Sequence, residues 1–209
     1  MGETMNQDAI GQDLTSQAAR IDRRAFVAQL VKACPQALVV TGLGSPTYDV
    51  FASGDSERYF YLWGAMGGAT PLALGLALAQ PQRPVLVITG DGEQLMGIGS
   101  LATAAAQHPN NLSIIVLDNG HFGETGMQRS HSSLGTDLSL VAKACGIEDS
   151  RKLHLISECD SLAAAINARQ GVLFAQVLIK SEEVPRALPS RDGSFVKNRF
   201  REGLGLRPF

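Results

Sequence analysis

Cysteine and tryptophan are scarce in this 209-residue chain, long apolar runs are missing, and neither sign of charge dominates. The three cysteines, Cys34, Cys145 and Cys159, are odd in number and widely spaced. That excludes a disulfide framework and a zinc knuckle, so they read as small core residues in a reducing cytoplasm. Lys and Arg number 18, Asp and Glu 20, and the net charge is -2. No basic field is available for nucleic acid, and no signature of a nucleic-acid-binding module occurs. The longest apolar run, Pro71 to Ala79, is far too short to span a bilayer, so no membrane partner is expected. The amino terminus has neither a basic segment nor an apolar one, which argues against a signal peptide. Glycine, by contrast, is abundant: 22 residues, clustered between positions 42 and 126. Such clustering marks loops where backbone approaches a ligand closely.

Residues 1–14 are polar and read as a flexible terminus. Residues 15–185 read as one domain, and 186–209 as a loop followed by a short helix. Asp22 is a plausible cap for a helix reaching Cys34. Continuous apolar runs over 37–41, 59–63, 84–90, 112–118 and 172–179 read as strands, and 151–157 as a weak one. Helices are expected over 67–80, 93–107, 137–146 and 159–170. The segment from Gly42 to Pro46 reads as a turn, and 119–136 as a long polar loop. Strands alternate with helices, and the strands are apolar throughout. That is the pattern of an α/β fold, a parallel sheet with helices on both faces. Ligands of such sheets lie at the carboxyl ends of the strands. Four glycine-rich turns occupy those ends: Thr41 to Gly44, Gly64 to Gly67, Gly90 to Glu93, and Asp118 to Gly123.

The turn at Gly90 carries a carboxylate, Asp91, where a phosphate cradle should avoid one. A strand-to-helix turn binds anions through free backbone N–H groups. Asp91 would repel a bare diphosphate, but not one that already carries Mg2+. That ion prefers oxygen ligands, typically one or two carboxylates plus phosphate oxygens and water. Asn119 stands 28 residues on (119 − 91), an interval of one helix and one strand. Both residues therefore reach the same end of the sheet.

The run GDGEQLMGIGSLATAAAQHPNNLSIIVLDN resembles the diphosphate-binding motif of thiamine diphosphate-dependent enzymes. The chain is similar to their diphosphate-binding domain from about residue 35 to 180, and most like the small (beta) subunits of sulfopyruvate decarboxylases and the matching half of phosphonopyruvate decarboxylases. The resemblance implies thiamine diphosphate and Mg2+ as cofactors. Asp91, Asn119 and the backbone carbonyl of His121 would hold the ion. Asp118 replaces the first asparagine of the family's usual pair. In WGAMGGA, residues Gly64, Ala65 and Met66 would grip the aminopyrimidine, with the Met66 side chain as a wedge beneath the bent cofactor. Gly44 and Ser45 would lie near the diphosphate and pyrimidine. Gly90, Gly92 and Glu93 would form the phosphate turn, the Glu93 side chain pointing into solvent. The Gly123 and Glu124 backbones would cap the phosphate, with His121 and Phe122 also at the cofactor.

The family's activating glutamate sits on a separate pyrimidine-binding domain, which these residues do not contain. The expectation is half an active site, with the catalytic groups on a pyrimidine-binding alpha subunit in a heteromer, alpha2beta2 or larger. The short amino terminus and initiator methionine favour such a split enzyme. Its substrate would be a small 2-oxo acid, 3-sulfo- or 3-phosphonopyruvate-like, decarboxylated in the cytoplasm. A carboligase resembling acetolactate synthase and a non-catalytic cofactor-binding subunit are the alternatives. NAD binding is disfavoured, because Thr47 stands where the third glycine of a dinucleotide fingerprint belongs. Met66 also reads as a plain core residue. His108 and His131 read as surface residues and His154 as packed in a strand. Arg129, Arg186 and Arg191 are candidates for an anionic substrate, with solvated surface as the default.

Overall fold

The structure, a computed structural model, describes residues 20–207. The flexible terminus expected over residues 1–14 lies outside them. The apolar runs form six parallel strands: β1 (Leu38–Thr41), β2 (Tyr59–Tyr61), β3 (Val85–Gly90), β4 (Leu112–Asp118), β7 (Asp149–Leu153) and β8 (Leu173–Leu178). Their order is β2-β1-β3-β4-β8-β7. A small antiparallel pair, β5 (His121–Phe122) and β6 (Gln128–Arg129), stands in the segment expected to be loop. The helices are α1 (Arg23–Ala33), α2 (Ser45–Ala52), α3 (Ala69–Ala79), α4 (Asp91–Met96), α5 (Gly99–Gln107), α6 (Leu138–Ala144), α7 (Cys159–Ala168) and α8 (Gly193–Gly203).

Alternation along each strand divides the core into two layers. Val39, Leu86, Ile88, Ile115 and Val177 pack with Phe26 and Leu30 of α1 and with Leu162 and Ile166 of α7. Their neighbours Val40, Val85, Val87, Ile114 and Phe174 pack with Ala73 of α3, Leu101 of α5 and Leu138 of α6. Burial on both faces is why these strands are uninterrupted apolar runs. Asp22 caps α1 as expected, its side chain accepting from the Ala25 N–H at 2.8 Å. The chain leaves β1 for β2 on one side and returns to β3 on the other. The carboxyl ends of β1 and β3 therefore flank a topological switch point, where such sheets bind ligands.

Several elements depart from the sequence expectation. The turn expected from Gly42 to Pro46 is only the entry to α2, with Gly44 at φ +80° as its N-cap and Pro46 in its first turn. Proline is tolerated there because no intrahelical bond is lost. The single helix expected over 93–107 is two, broken after Met96. A Cβ on residue 97 would stand 2.4 Å from the Gly67 carbonyl oxygen, so the break lets the 64–67 turn pack against it. Strand β7 starts at Asp149, two residues before the expected 151, and stops before His154, which is exposed rather than packed. It is an edge strand, buried fully only at Leu153, so its apolar signal is weak. Cys34 and Cys159 are core residues, whereas Cys145 is half-buried. The tail ends in α8, docked through Phe200 edge-on to Phe60 at 5.5 Å. Among the described residues no helix is long and apolar enough to cross a membrane.

Candidate functional site

A groove of about 850 Å³ opens at the carboxyl ends of the strands. It is lined by Ser45, Met66, Gly90, Asp91, Gly92, Glu93, Asn119, His121, Phe122, Gly123 and Glu124, which the sequence singled out on four separate turns. Gly44, Gly64 and Ala65 are not among its lining residues, although each adjoins one in sequence or in the same turn. Gly64 takes φ +72°, the left-handed conformation that favours glycine.

Asp91 opens α4 directly after β3 and is 2% exposed. Ser130 donates a short hydrogen bond to its Oδ2, and the Ser132 hydroxyl lies 3.1 Å from the same oxygen. Ser132 also lies 2.7 Å from Asp118 Oδ1, which accepts from the Gly120 N–H at 2.9 Å. Gln176 donates to Asp118 Oδ2 at 2.6 Å. Both oxygens of Asp118 are thus committed to protein donors, so replacing an asparagine here by aspartate leaves a structural hub and frees no oxygen. Burial, then the Asp118 carboxylate, push the Asp91 pKa up to about 6 against the pull of the two hydroxyls.

Two carboxylates buried this close need a counter-charge. Among the described residues no basic side chain forms an ion pair with either. Asn119 shares the groove, its Oδ1 accepting from the His121 N–H at 2.9 Å. A carboxylate, an amide oxygen and a backbone carbonyl make an all-oxygen donor set of the kind a hard divalent cation takes. The residues present fit such an ion.

Glu93 does not point into solvent. It is 4% exposed, and its Oε2 accepts from the Leu43 N–H at 2.8 Å, tying the end of β3 to the end of β1. Gly42 makes the room: a Cβ there would stand 2.0 Å from that oxygen. Burial raises the pKa of Glu93, and the Leu43 N–H opposes it. Met66 is 43% exposed, which removes the plain-core reading and leaves its side chain on the groove wall. His108 and His131 are exposed. Of the candidate arginines, Arg186 lines the groove, 3.1 Å from Glu124 and 5.9 Å over the Tyr48 ring. Arg129 and Arg191 are exposed and do not line it.

Residues 44–177 match the family described as thiamine pyrophosphate enzyme, C-terminal TPP binding domain. The chain belongs to that family. A phosphonopyruvate decarboxylase of Streptomyces viridochromogenes is 41% identical over all of this chain and 54% of its own length. The sulfopyruvate decarboxylase beta subunit of Methanothermobacter thermautotrophicus is 34% identical over 86% of this chain and 94% of its own. The chain spans about half the length of the first of these relatives. The solved benzoylformate decarboxylase from Polynucleobacter necessarius superposes with a TM-score of 0.66 over 79% of this chain and 34% of that one, at 22% identity, which speaks to the fold alone. In this thiamine pyrophosphate enzyme domain Ser130, Ser132 and Gln176 carry no motif of their own. The serines lie in a polar loop with no periodic signal, and Gln176 sits inside an otherwise apolar strand. A buried polar residue at mid-strand was the one available hint.

Proposed function

We propose that this chain is the diphosphate-binding half of a thiamine diphosphate- and Mg2+-dependent 2-oxo acid decarboxylase, completed by a pyrimidine-binding alpha subunit in a heteromer. The observation that carries the reading is the meeting of Asp91, Asn119 and His121 with Met66 in one groove at the switch point. Asp91, Asn119 and the His121 carbonyl hold the ion. The turns at Gly90 to Glu93 and His121 to Glu124 receive the diphosphate, with Gly44 and Ser45 beside it. The turn from Gly64 to Met66 holds the aminopyrimidine. Thiamine diphosphate supplies the electron sink that a leaving carbon dioxide requires. This chain's own work is to bind and orient it, and to fix the negative charge that draws the ion in. The names of the relatives favour a 3-sulfo- or 3-phosphonopyruvate-like substrate. The three free thiols suit a cytoplasmic setting.

The test is co-purification with the product of the neighbouring reading frame, followed by assay on a panel of 2-oxo acids with thiamine diphosphate and Mg2+. Carbon dioxide and aldehyde release from an anionic 3-substituted pyruvate is expected from the complex, and none from either chain alone. Carbon–carbon bond formation as the main outcome would favour the carboligase. Full pathway flux with Asp91→Ala would favour a non-catalytic subunit.

A further inference from the structure

Residues 180–192, which lead from β8 to α8, form neither helix nor strand, yet they are held on either side of Arg186. Arg24 donates from Nη2 to the Pro185 carbonyl at 2.9 Å, and Trp63 donates from Nε1 to the Ser190 carbonyl at 2.9 Å. Between these anchors Arg186 lines the groove and stands 5.9 Å over the Tyr48 ring. Tyr48 is a firm support for it. It lies on α2, lines the groove, is 7% exposed, and packs against Trp63 with ring centres 6.4 Å apart. Burial, then the Glu124 carboxylate, raise the Tyr48 pKa, and the Arg186 and Arg191 guanidinium groups oppose them. Two guanidinium groups thus act on one aromatic residue of the groove wall.

The charges along the groove single out Arg186. Glu182 and Glu183 join Asp91, Glu93 and Glu124 in the lining, against Arg23 and Arg186. An anionic substrate entering so acidic a groove needs a cation that is free to change partners. Arg23 is not: it is 5% exposed and lies 3.0 Å from the buried Asp49. Arg186 is the opposite case. Its side chain is 61% exposed, and Glu124, 3.1 Å away, is 39% exposed. An ion pair so open to water is worth little. A tetrahedral oxyanion that accepts two parallel N–H bonds from the guanidinium fork competes well against it. We infer that Arg186, steadied by Tyr48 and with Arg191 as a second charge, receives the anionic head group of the substrate, the phosphonate or sulfonate on the carbon beside the 2-oxo group. The inference rests on the proposed decarboxylase reading and names a specificity-determining residue within it. The head group keeps its charge while carbon dioxide leaves, so this contact contributes to substrate binding more than to the chemical step.

The test uses the proposed heteromer with thiamine diphosphate and Mg2+, assayed on 3-phosphonopyruvate and 3-sulfopyruvate. Arg186→Gln should raise KM about 10–100-fold, the loss expected for hydrogen bonds to a charged group, and leave kcat unchanged. Arg186→Lys keeps the charge without the fork and should recover part of the loss. Competitive inhibition separates recognition from folding. Methylphosphonate and methanesulfonate carry the head group alone, and oxamate mimics the 2-oxo acid alone. In Arg186→Gln the first two should inhibit more weakly, and oxamate as before. Equal weakening of all three would make Arg186 a structural residue of the rim and overturns the inference. So does unchanged inhibition by methylphosphonate and methanesulfonate, which would place the head group elsewhere, or a loss confined to thiamine diphosphate affinity, which would assign Arg186 to the cofactor. A wild-type heteromer that decarboxylates only 2-oxo acids without a second charge overturns this inference and leaves the decarboxylase reading standing. One that decarboxylates none overturns both.

Discussion

Leu86 and Asp91 lie on one continuous run of chain, and both are almost wholly buried. Leu86 is surrounded by the apolar layer of α1 and α7. Asp91 is surrounded by a second carboxylate and two serines. The first burial releases water from apolar surface and stabilises the sheet by about 2 kcal/mol for a side chain of that size. The second desolvates a charge, a cost that the divalent cation of the proposed function would offset. The body of the sheet is built for stability, and its carboxyl mouth spends part of that stability on a ligand.

This contrast can be broken or sharpened by substitution. Asp91→Ala carries the largest expected effect: cofactor-dependent turnover of the proposed heteromer should fall to background, while the thermal midpoint of the chain does not drop. A large loss of stability would place Asp91 with the body instead. Phe174, fully buried in mid-strand, is the opposite case. Phe174→Ala should cost about 3–5 kcal/mol in urea melts, and a cost near zero would mean that the second apolar layer is not packed as described. Gly42→Ala joins the two regions, because its new methyl meets the Glu93 carboxylate first and the Thr89 hydroxyl second. A loss of about 1–3 kcal/mol is expected, and Glu93→Ala in the same chain should recover part of it, the Thr89 contact remaining. Equal losses in both backgrounds would remove the close approach.

The smallest effect belongs to Asp137, which does not line the groove. It caps α6, accepting from the Ser139 and Leu140 N–H groups, and forms a short ion pair with Lys152. Burial opposes its ionisation, but the Lys152 ammonium, the Ser139 hydroxyl and the Leu140 N–H prevail and bring its pKa down to about 2 from 3.8. A carboxyl lowered by folding adds stability above its ordinary value and loses it as pH falls toward the folded one. Asp137→Ala should therefore cost about 1 kcal/mol near neutral pH, and the gap from wild type should narrow below pH 4. A gap that widens in acid would contradict the assignment.

The two regions also differed in how far they could be read from sequence. Strands buried on both faces announce themselves as apolar runs, which is why β1, β3, β4 and β8 were placed to within about a residue. The edge strand β7, with polar residues along most of its length, was misplaced. The helix α2 was hidden behind glycine and proline, residues that mark a turn as readily as a helix start. At the mouth, the glycine turns located the groove, because backbone needs are written in residue type. Side-chain direction is not. Glu93 was expected in solvent and lies buried, since the space that admits it is created 51 residues earlier by Gly42 (93 − 42). Ser130, Ser132 and Gln176 are hidden for the same reason: each meets its partner across chain separations that no local pattern encodes.

The most direct measurement is calorimetric titration of thiamine diphosphate into the chain assembled with the proposed pyrimidine-binding partner, once with Mg2+ and once in excess chelator. The buried acids at the mouth predict uptake with the ion and almost none without it. Equal uptake in both conditions would contradict the claim that a divalent cation makes that acidic groove a phosphate site.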